Sequence, residues 1–198
     1  MTTKTKSTYR ISLESNAGSG KTHILNHLEI RGLRPIPENR AGWDPWITKF
    51  YDDPKRWCYT THSKILLDLG FVPKGTFVER SPWSVLNVFV RRYYDLGYIT
   101  NEEYRLLCQL YNVTGWEPDV IIYIKVPPKI CYFRICQKYG TEEPPITLRD
   151  LEETEKYYEE ALRYTTRPVI RINGDEKTST EKLALIIQKK LDELQIIQ

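Results

Sequence analysis

Nine consecutive residues have the types and spacing to do chemistry: Glu14, Ser15, Asn16, Ala17, Gly18, Ser19, Gly20, Lys21 and Thr22, directly after the strand-like run Tyr9-Arg10-Ile11-Ser12-Leu13. A strand, a glycine-rich loop and a helix start in this order form a cradle for the phosphates of a nucleoside triphosphate. Gly18 and Gly20 let backbone N–H groups turn inward around anionic oxygens. The helix that follows offers its positive end to the same charge. Lys21 supplies a mobile cation for the outer phosphates, and the Thr22 hydroxyl can ligate the magnesium ion that travels with them. Residues Ser15 to Thr22 are therefore the expected ATP-binding segment. Ser15 stands where the G-x-x-x-x-G-K-[ST] template has glycine, so the loop is expected to enter its turn differently.

Something must hold this loop, and strand-like and helix-like segments alternate along the whole chain. Extended segments are expected at 9–14, 34–38, 75–80, 120–124 and 169–172. Helices are expected at 20–30, 47–51, 56–69, 83–96, 101–112, 127–138, 148–163 and 181–196. Residues 120–124 are wholly apolar, as suits a strand covered on both faces. Ser81 before Pro82 is a good helix start. The pattern implies an α/β fold with a five-stranded, parallel, doubly wound sheet flanked by helices. The segment 83–96 is apolar almost all round, which predicts burial on two sides, against the sheet and against a partner subunit.

Length and composition bound the rest. With 198 residues, one domain over 1–198 is expected. Hydrophobic residues at 40% and charged residues at 28% are ordinary for a globular protein. A net charge of +3 from 29 basic and 26 acidic residues favours phosphorylated ligands but is too weak to argue for nucleic-acid binding. Fourteen tyrosines and five tryptophans suit a core or pocket that stacks flat rings. The four cysteines form no C-x-x-C pair and read as reduced thiols. No apolar run approaches the ~18 residues a membrane helix needs, and residues 1–7 do not read as a targeting segment. The expected location is cytoplasmic.

Four features in order along the chain resemble the deoxyribonucleoside kinases, the P-loop kinases that include thymidine kinase 2-like and deoxycytidine kinase-like enzymes. They are the phosphate loop, Glu38 followed five residues later by Trp43, the triplet Glu79-Arg80-Ser81, and a lid at about 134–146 running from Arg134 to Glu142-Glu143. The run Tyr51-Asp52-Asp53-Pro54-Lys55-Arg56-Trp57 adds to the likeness. The resemblance implies transfer of the γ-phosphate of ATP, with Mg²⁺, to the 5′-hydroxyl of a deoxyribonucleoside. Glu38 would be the general base, with Lys21, Arg80 and Arg134 stabilising the phosphoryl group and Thr22 and Glu79 serving the metal. Trp43 and Phe89 would bracket the base, and Tyr51 and Glu143 would meet the 3′-hydroxyl. His62 falls where the family usually has glutamine to read a base edge. Val85 and Leu69 fall on pocket positions, and apolar walls there favour thymidine and deoxycytidine over purines. The turn Asn173-Gly174-Asp175 would lie near the adenine of ATP, and a homodimer through 83–96 and 148–163 is implied.

Other readings of these residues stay open. Glu38 could be a cap or a surface acid, Glu79-Arg80 a strand-end ion pair, and the aromatics plain core. His23 and His27 read as ordinary helix residues. A nucleoside monophosphate (thymidylate) kinase would share the sheet and lid, but its acceptor needs extra cations and no base. A non-catalytic nucleotide-binding module is the third alternative. No nucleic-acid polymer and no membrane are expected as partners.

Overall fold

The computed structural model describes residues 8–28, 33–140, 144–175 and 178–193. Five strands, β1 (Arg10–Glu14), β2 (Arg34–Ile36), β3 (Thr76–Glu79), β4 (Val120–Lys125) and β5 (Val169–Asn173), form one sheet in the order β2-β3-β1-β4-β5. Every pairing is parallel, with Ile11 opposite Phe77 on one side and Val120 on the other. The chain leaves β1 toward one edge of the sheet and leaves β4 toward the other. Their carboxyl ends therefore open the crevice in which sheets of this kind bind ligands.

Helices cover both faces: α1 (Lys21–His27), α2 (Arg40–Asp52), α3 (Pro54–Gly70), α4 (Pro82–Ser84), α5 (Arg91–Asp95), α6 (Asn101–Thr114), α7 (Pro128–Tyr139), α8 (Leu148–Tyr164) and α9 (Thr180–Glu193). Strand alternation divides the core. Ile11, Leu13, Ile122 and Ile124 face a cluster with Ile24, Leu183 and Ile187. Ile121 and Tyr123 face the opposite way, toward Trp83, Val88 and Tyr158. A third cluster, built on α2, α3 and α6 around Trp43, Leu66, Leu69 and Leu107, walls the space beyond β3. Among the described residues, no helix is long and apolar enough to cross a membrane.

Two expectations change. The segment expected as one helix over 83–96 is α4, then a π-helical stretch Val85–Val90, then α5. Its apolar faces are covered within the chain. Trp83 and Val88 pack on the sheet and α8, while Val85, Leu86 and Val90 pack among residues of α3 and α6. All-round apolarity here therefore needs no partner subunit to explain it. The helix expected to start at 47 starts at Arg40, capped by Asn39, whose side chain accepts from the Gly42 N–H at 3.2 Å. Pro45 lies inside it. A proline and a glycine in so short a stretch read as breakers, but the cap and the packing of Trp43 and Phe50 outweigh them.

Candidate active site

The phosphate loop is shaped by its glycines and tied down by side chains. Gly18 (φ +74°) and Gly20 (φ +91°) take left-handed backbone. A Cβ on Gly18 would sit 2.5 Å from the Cys131 carbonyl oxygen, so α7 closes off that side. The Ser15 hydroxyl turns away from the loop hollow and donates to the Ile124 carbonyl at 2.5 Å. It anchors the loop to β4, so serine in place of the template glycine acts as a tether. Asn16 donates to the Leu151 carbonyl at 3.0 Å. Lys21 is buried and folds its ammonium onto the loop carbonyls of Asn16 (2.9 Å) and Ser15 (3.3 Å). Burial lowers its pKa, as does Arg80, against the pull of Glu38, Glu79 and Glu14. The Asn16 Oδ1 and Ser19 Oγ atoms are buried without partners, as expected where a polar ligand would complete the loop.

Across the crevice, the ends of β1, β2 and β3 bring distant residues together. The Thr22 hydroxyl donates to both Glu79 carboxylate oxygens, at 3.0 and 2.9 Å. Glu38, two residues past β2, accepts from Arg80 Nε at 2.6 Å. Burial raises the Glu38 pKa, but Arg80, Lys21 and Arg40 outweigh it and hold the carboxyl below its ordinary range. Burial likewise disfavours the Arg80 charge, yet Glu38, Tyr158 and Glu14 more than offset it. The Arg80 guanidinium lies 4.4 Å from the centre of the Phe89 ring. Arg80 is also the sole non-glycine residue with positive φ (+73°) among those described, a conformation that stores about 1–3 kcal/mol of strain.

Trp43, Leu69 and Val85 are buried in one cluster, with Tyr51 and Phe89 packed against it. Trp43 is fixed by Asp68, which accepts from its indole N–H at 2.9 Å. His62 lies against Phe50 and Tyr93, with ring centres 5.7 and 5.0 Å away. Its Nδ1 is 2.7 Å from the Cys58 carbonyl. A carbonyl only accepts, so Nδ1 carries the proton and Nε2 the lone pair. Burial pushes the His62 pKa down to about 4, which keeps the ring neutral. The Tyr51 phenol is pushed up to about 12, by burial first and Asp150 second.

Other candidates lie elsewhere. Arg134 reaches the loop from α7, donating to the Ser19 carbonyl at 3.3 Å; it does not join the Glu38–Arg80 pair. His23 and His27 sit on α1, His27 beside Glu181 at 3.4 Å. The Gly174 N–H, just past β5, donates to the Lys125 carbonyl at the end of β4. Glu142 and Glu143 lie outside the described residues. Sequence reasoning gave Glu14 no role of its own and missed Asp68, Tyr93 and Tyr158. An acid at the end of a strand that runs straight into the glycine loop, as Glu14 does, was the available signal, because buried carboxylates without a partner are rare.

The oxygen donors Thr22 and Glu79 suit magnesium, which takes few protein ligands and completes its shell with phosphates and water. Among the described residues no cluster of three His, Cys, Asp or Glu could hold a metal alone. The residues present therefore fit an ion that arrives with the triphosphate.

Comparison with known proteins gives the family. A family model described as deoxynucleoside kinase matches residues 11–194. A fowlpox virus (strain NVSL) protein named "Probable deoxycytidine kinase" is 31% identical over 189 residues, spanning 84% of this chain and 79% of the relative. "Thymidine kinase 2, mitochondrial" of Macaca fascicularis is 28% identical, over 93% of this chain and 77% of the relative. "Deoxyadenosine kinase" of Dictyostelium discoideum is 26% identical, over 94% and 81%. A phosphate loop facing a carboxylate–arginine pair across the sheet crevice, matched over nearly its full length by one family, places this chain among the deoxynucleoside kinases.

Proposed function

We propose that the protein transfers the γ-phosphoryl group of ATP to the 5′-hydroxyl of a pyrimidine deoxyribonucleoside, with Glu38 taking the hydroxyl proton. The Glu38–Arg80 pair carries this reading. Phosphoryl transfer asks little covalent chemistry of a protein beyond a base, position and charge. Glu38 is held ionised and is therefore ready to accept a proton. Arg80 shares its fork between Glu38 and the incoming phosphoryl oxygens, a task suited to fixed, multiple donors. Lys21 leaves its loop carbonyls for the outer phosphates, and Arg134 neutralises charge from the side of α7. Thr22 and Glu79 would hold magnesium, which would supply charge neutralisation on the phosphates. Tyr51, with Glu143, is assigned to the sugar.

The names of the relatives span pyrimidine and purine deoxynucleosides, so the base must be argued from the pocket. Val85 and Leu69 present apolar walls, which receive a 5-methyl group and leave a purine's polar edge unpaired. His62 offers an acceptor at Nε2, which the N3–H of thymine or the amine of cytosine satisfies. Trp43 and Phe89 give the base its flat surfaces. A phosphorylated acceptor is disfavoured because Glu38 already neutralises the Arg80 charge where its phosphate would sit.

A cytoplasmic homodimer with no nucleic-acid or membrane partner completes the proposal; sedimentation velocity checks the dimer. The main test is transfer of label from ATP, with magnesium, to thymidine, deoxycytidine, deoxyadenosine, deoxyguanosine and thymidine monophosphate. Higher kcat/KM for the two pyrimidine nucleosides is expected. A purine leading would overturn the pocket reading. Label on the monophosphate alone would move the protein to the nucleotide kinases, and no transfer would leave a binding module.

A further inference from the structure

We propose that Glu14 is a positioning residue for phosphoryl transfer: through Ser81 it holds the Arg80 corner in its left-handed conformation and so aims the guanidinium at Glu38. This rests on the role given to Arg80 above. Glu14 is the last residue of β1 and is fully buried. A buried carboxylate is expensive unless hydrogen-bonded, and Glu14 accepts from three donors. Its Oε1 takes the Ser81 backbone N–H at 3.0 Å and the Ser81 hydroxyl at 2.6 Å. Its Oε2 takes the Tyr158 hydroxyl at 3.2 Å.

These contacts surround the strained residue. The Arg80 N–H donates to the Leu13 carbonyl at 3.2 Å. The peptide units on both sides of the Arg80 Cα are thus gripped by the last two residues of β1, one through a carbonyl and the other through a carboxylate. Positive φ at a residue with a Cβ persists only where its surroundings over-determine it. The side chain is backed by the same network. Tyr158 meets Phe89 edge-on at 5.9 Å, and Phe89 carries the Arg80 guanidinium on its face. Burial raises the Glu14 pKa, opposed first by Arg80 and then by Ser81, Ser84 and Lys21. Glu14 thus joins the strand that opens the phosphate loop to the residue that closes the acceptor side.

The test is kcat and KM for Glu14→Ala and Glu14→Gln, each made alone and in an Arg80→Lys background, beside thermal denaturation. Glu14→Ala should lower kcat about 30-fold or more, with KM for both substrates within about threefold. Glu14→Gln, which keeps an acceptor for Ser81 and lets Tyr158 accept in turn, should recover kcat to within about fivefold of the parent. With Arg80 already lysine, the added loss from Glu14→Ala should shrink to under about threefold, because both changes remove the same function. An undiminished loss in that background, or a lower Tm with unchanged kcat, overturns the assignment. Should Glu14→Ala fail to fold, Tyr158→Phe decides by the same cycle. A loss confined to the Arg80 background supports the proposal, and an effect indifferent to residue 80, or none, overturns it. Wild-type kcat in Arg80→Lys alone would instead refute the role of Arg80 itself.

Discussion

The phosphate side and the acceptor side of the crevice share the carboxyl ends of the same strands, yet they are built by opposite means. The phosphate side is eight consecutive residues whose shape comes from backbone, with two glycines at positive φ and two short tethers to β4 and α8. The acceptor side is assembled from side chains remote in the chain, with Glu38 and Arg80 42 positions apart, and the Thr22–Glu79 contact, 57 positions apart, joins it to the phosphate side. A backbone cradle binds whatever carries the right phosphates. A side-chain assembly depends on its charges and can be retuned one residue at a time. Donor binding and acceptor chemistry should therefore separate under mutation.

The largest effect expected sits on the acceptor side. Glu38→Gln keeps size and removes the base, so kcat should fall by about 10²–10⁴ with KM for ATP little changed. An unchanged kcat would remove Glu38 from the chemistry. A break on the phosphate side should look different. Gly18→Ala forces a Cβ at φ +74° to within 2.5 Å of the Cys131 carbonyl. Left-handed strain together with overpacking against α7 should cost about 2–4 kcal/mol, read by urea denaturation. KM for ATP should rise with it. Equal stability would mean that α7 yields easily and the cradle is softer than its contacts suggest.

The contrast also governs what could be read from the sequence. Gly18, Gly20, Lys21 and Thr22 lie close together in the chain, so the glycine turn into α1 needs no tertiary information and was legible at once. The five parallel strands were legible too, because residues 120–124 of β4 are apolar and helices separate every strand. What was not legible depends on contacts between remote segments. Nothing local to Arg80 announces a positive φ; that follows from the grip of Leu13 and Glu14. Ser15 reads as a flaw in the template until its hydroxyl is seen to reach Ile124. The early start of α2 is hidden by Gly42 and Pro45. The π-helical turn at Val85–Val90 has no local signal, since its apolar residues suit either winding. In each case tertiary packing overrode a local rule.

Two acceptor-side groups also give that side a pH dependence of its own. Because Glu38 is held below its ordinary value of 4.5 in the folded protein, it contributes stability above the unfolded value and loses it as pH falls through the folded one. The acid limb of kcat/KM assigned to Glu38 should accordingly lie below pH 4.5, and a limb above that value would mean a different base. His62 follows the same rule with opposite charge. Its folded pKa is depressed from 6.5 to about 4, so the unfolded chain binds a proton that the folded chain refuses. Stability should decline as pH falls from 6.5 to about 4, by at most about 1.4 kcal/mol per pH unit from this group. His62→Gln should flatten that slope. An unaltered slope would show that His62 is hydrated enough to protonate in place, and its fixed Nε2 acceptor would be lost as a basis for base choice.

The smallest effect tests whether the phosphate side is truly backbone-built. Ser15→Gly restores the template residue and removes the tether to Ile124. If the serine only anchors, the variant should lose about 1 kcal/mol, the usual worth of one hydrogen bond, with KM for ATP moving less than about twofold. On the proposed reading the phosphates meet N–H groups of a turn that Gly18 and Gly20 set through their left-handed backbone, and that turn does not require the Ser15 hydroxyl. A markedly tighter KM for ATP in the glycine variant would point the other way. The serine would then be holding the loop slightly off its best shape, and a side chain, 109 positions from its partner, would be tuning donor affinity. In that event the division between a backbone-built donor site and a side-chain-built acceptor site would fail at its first residue.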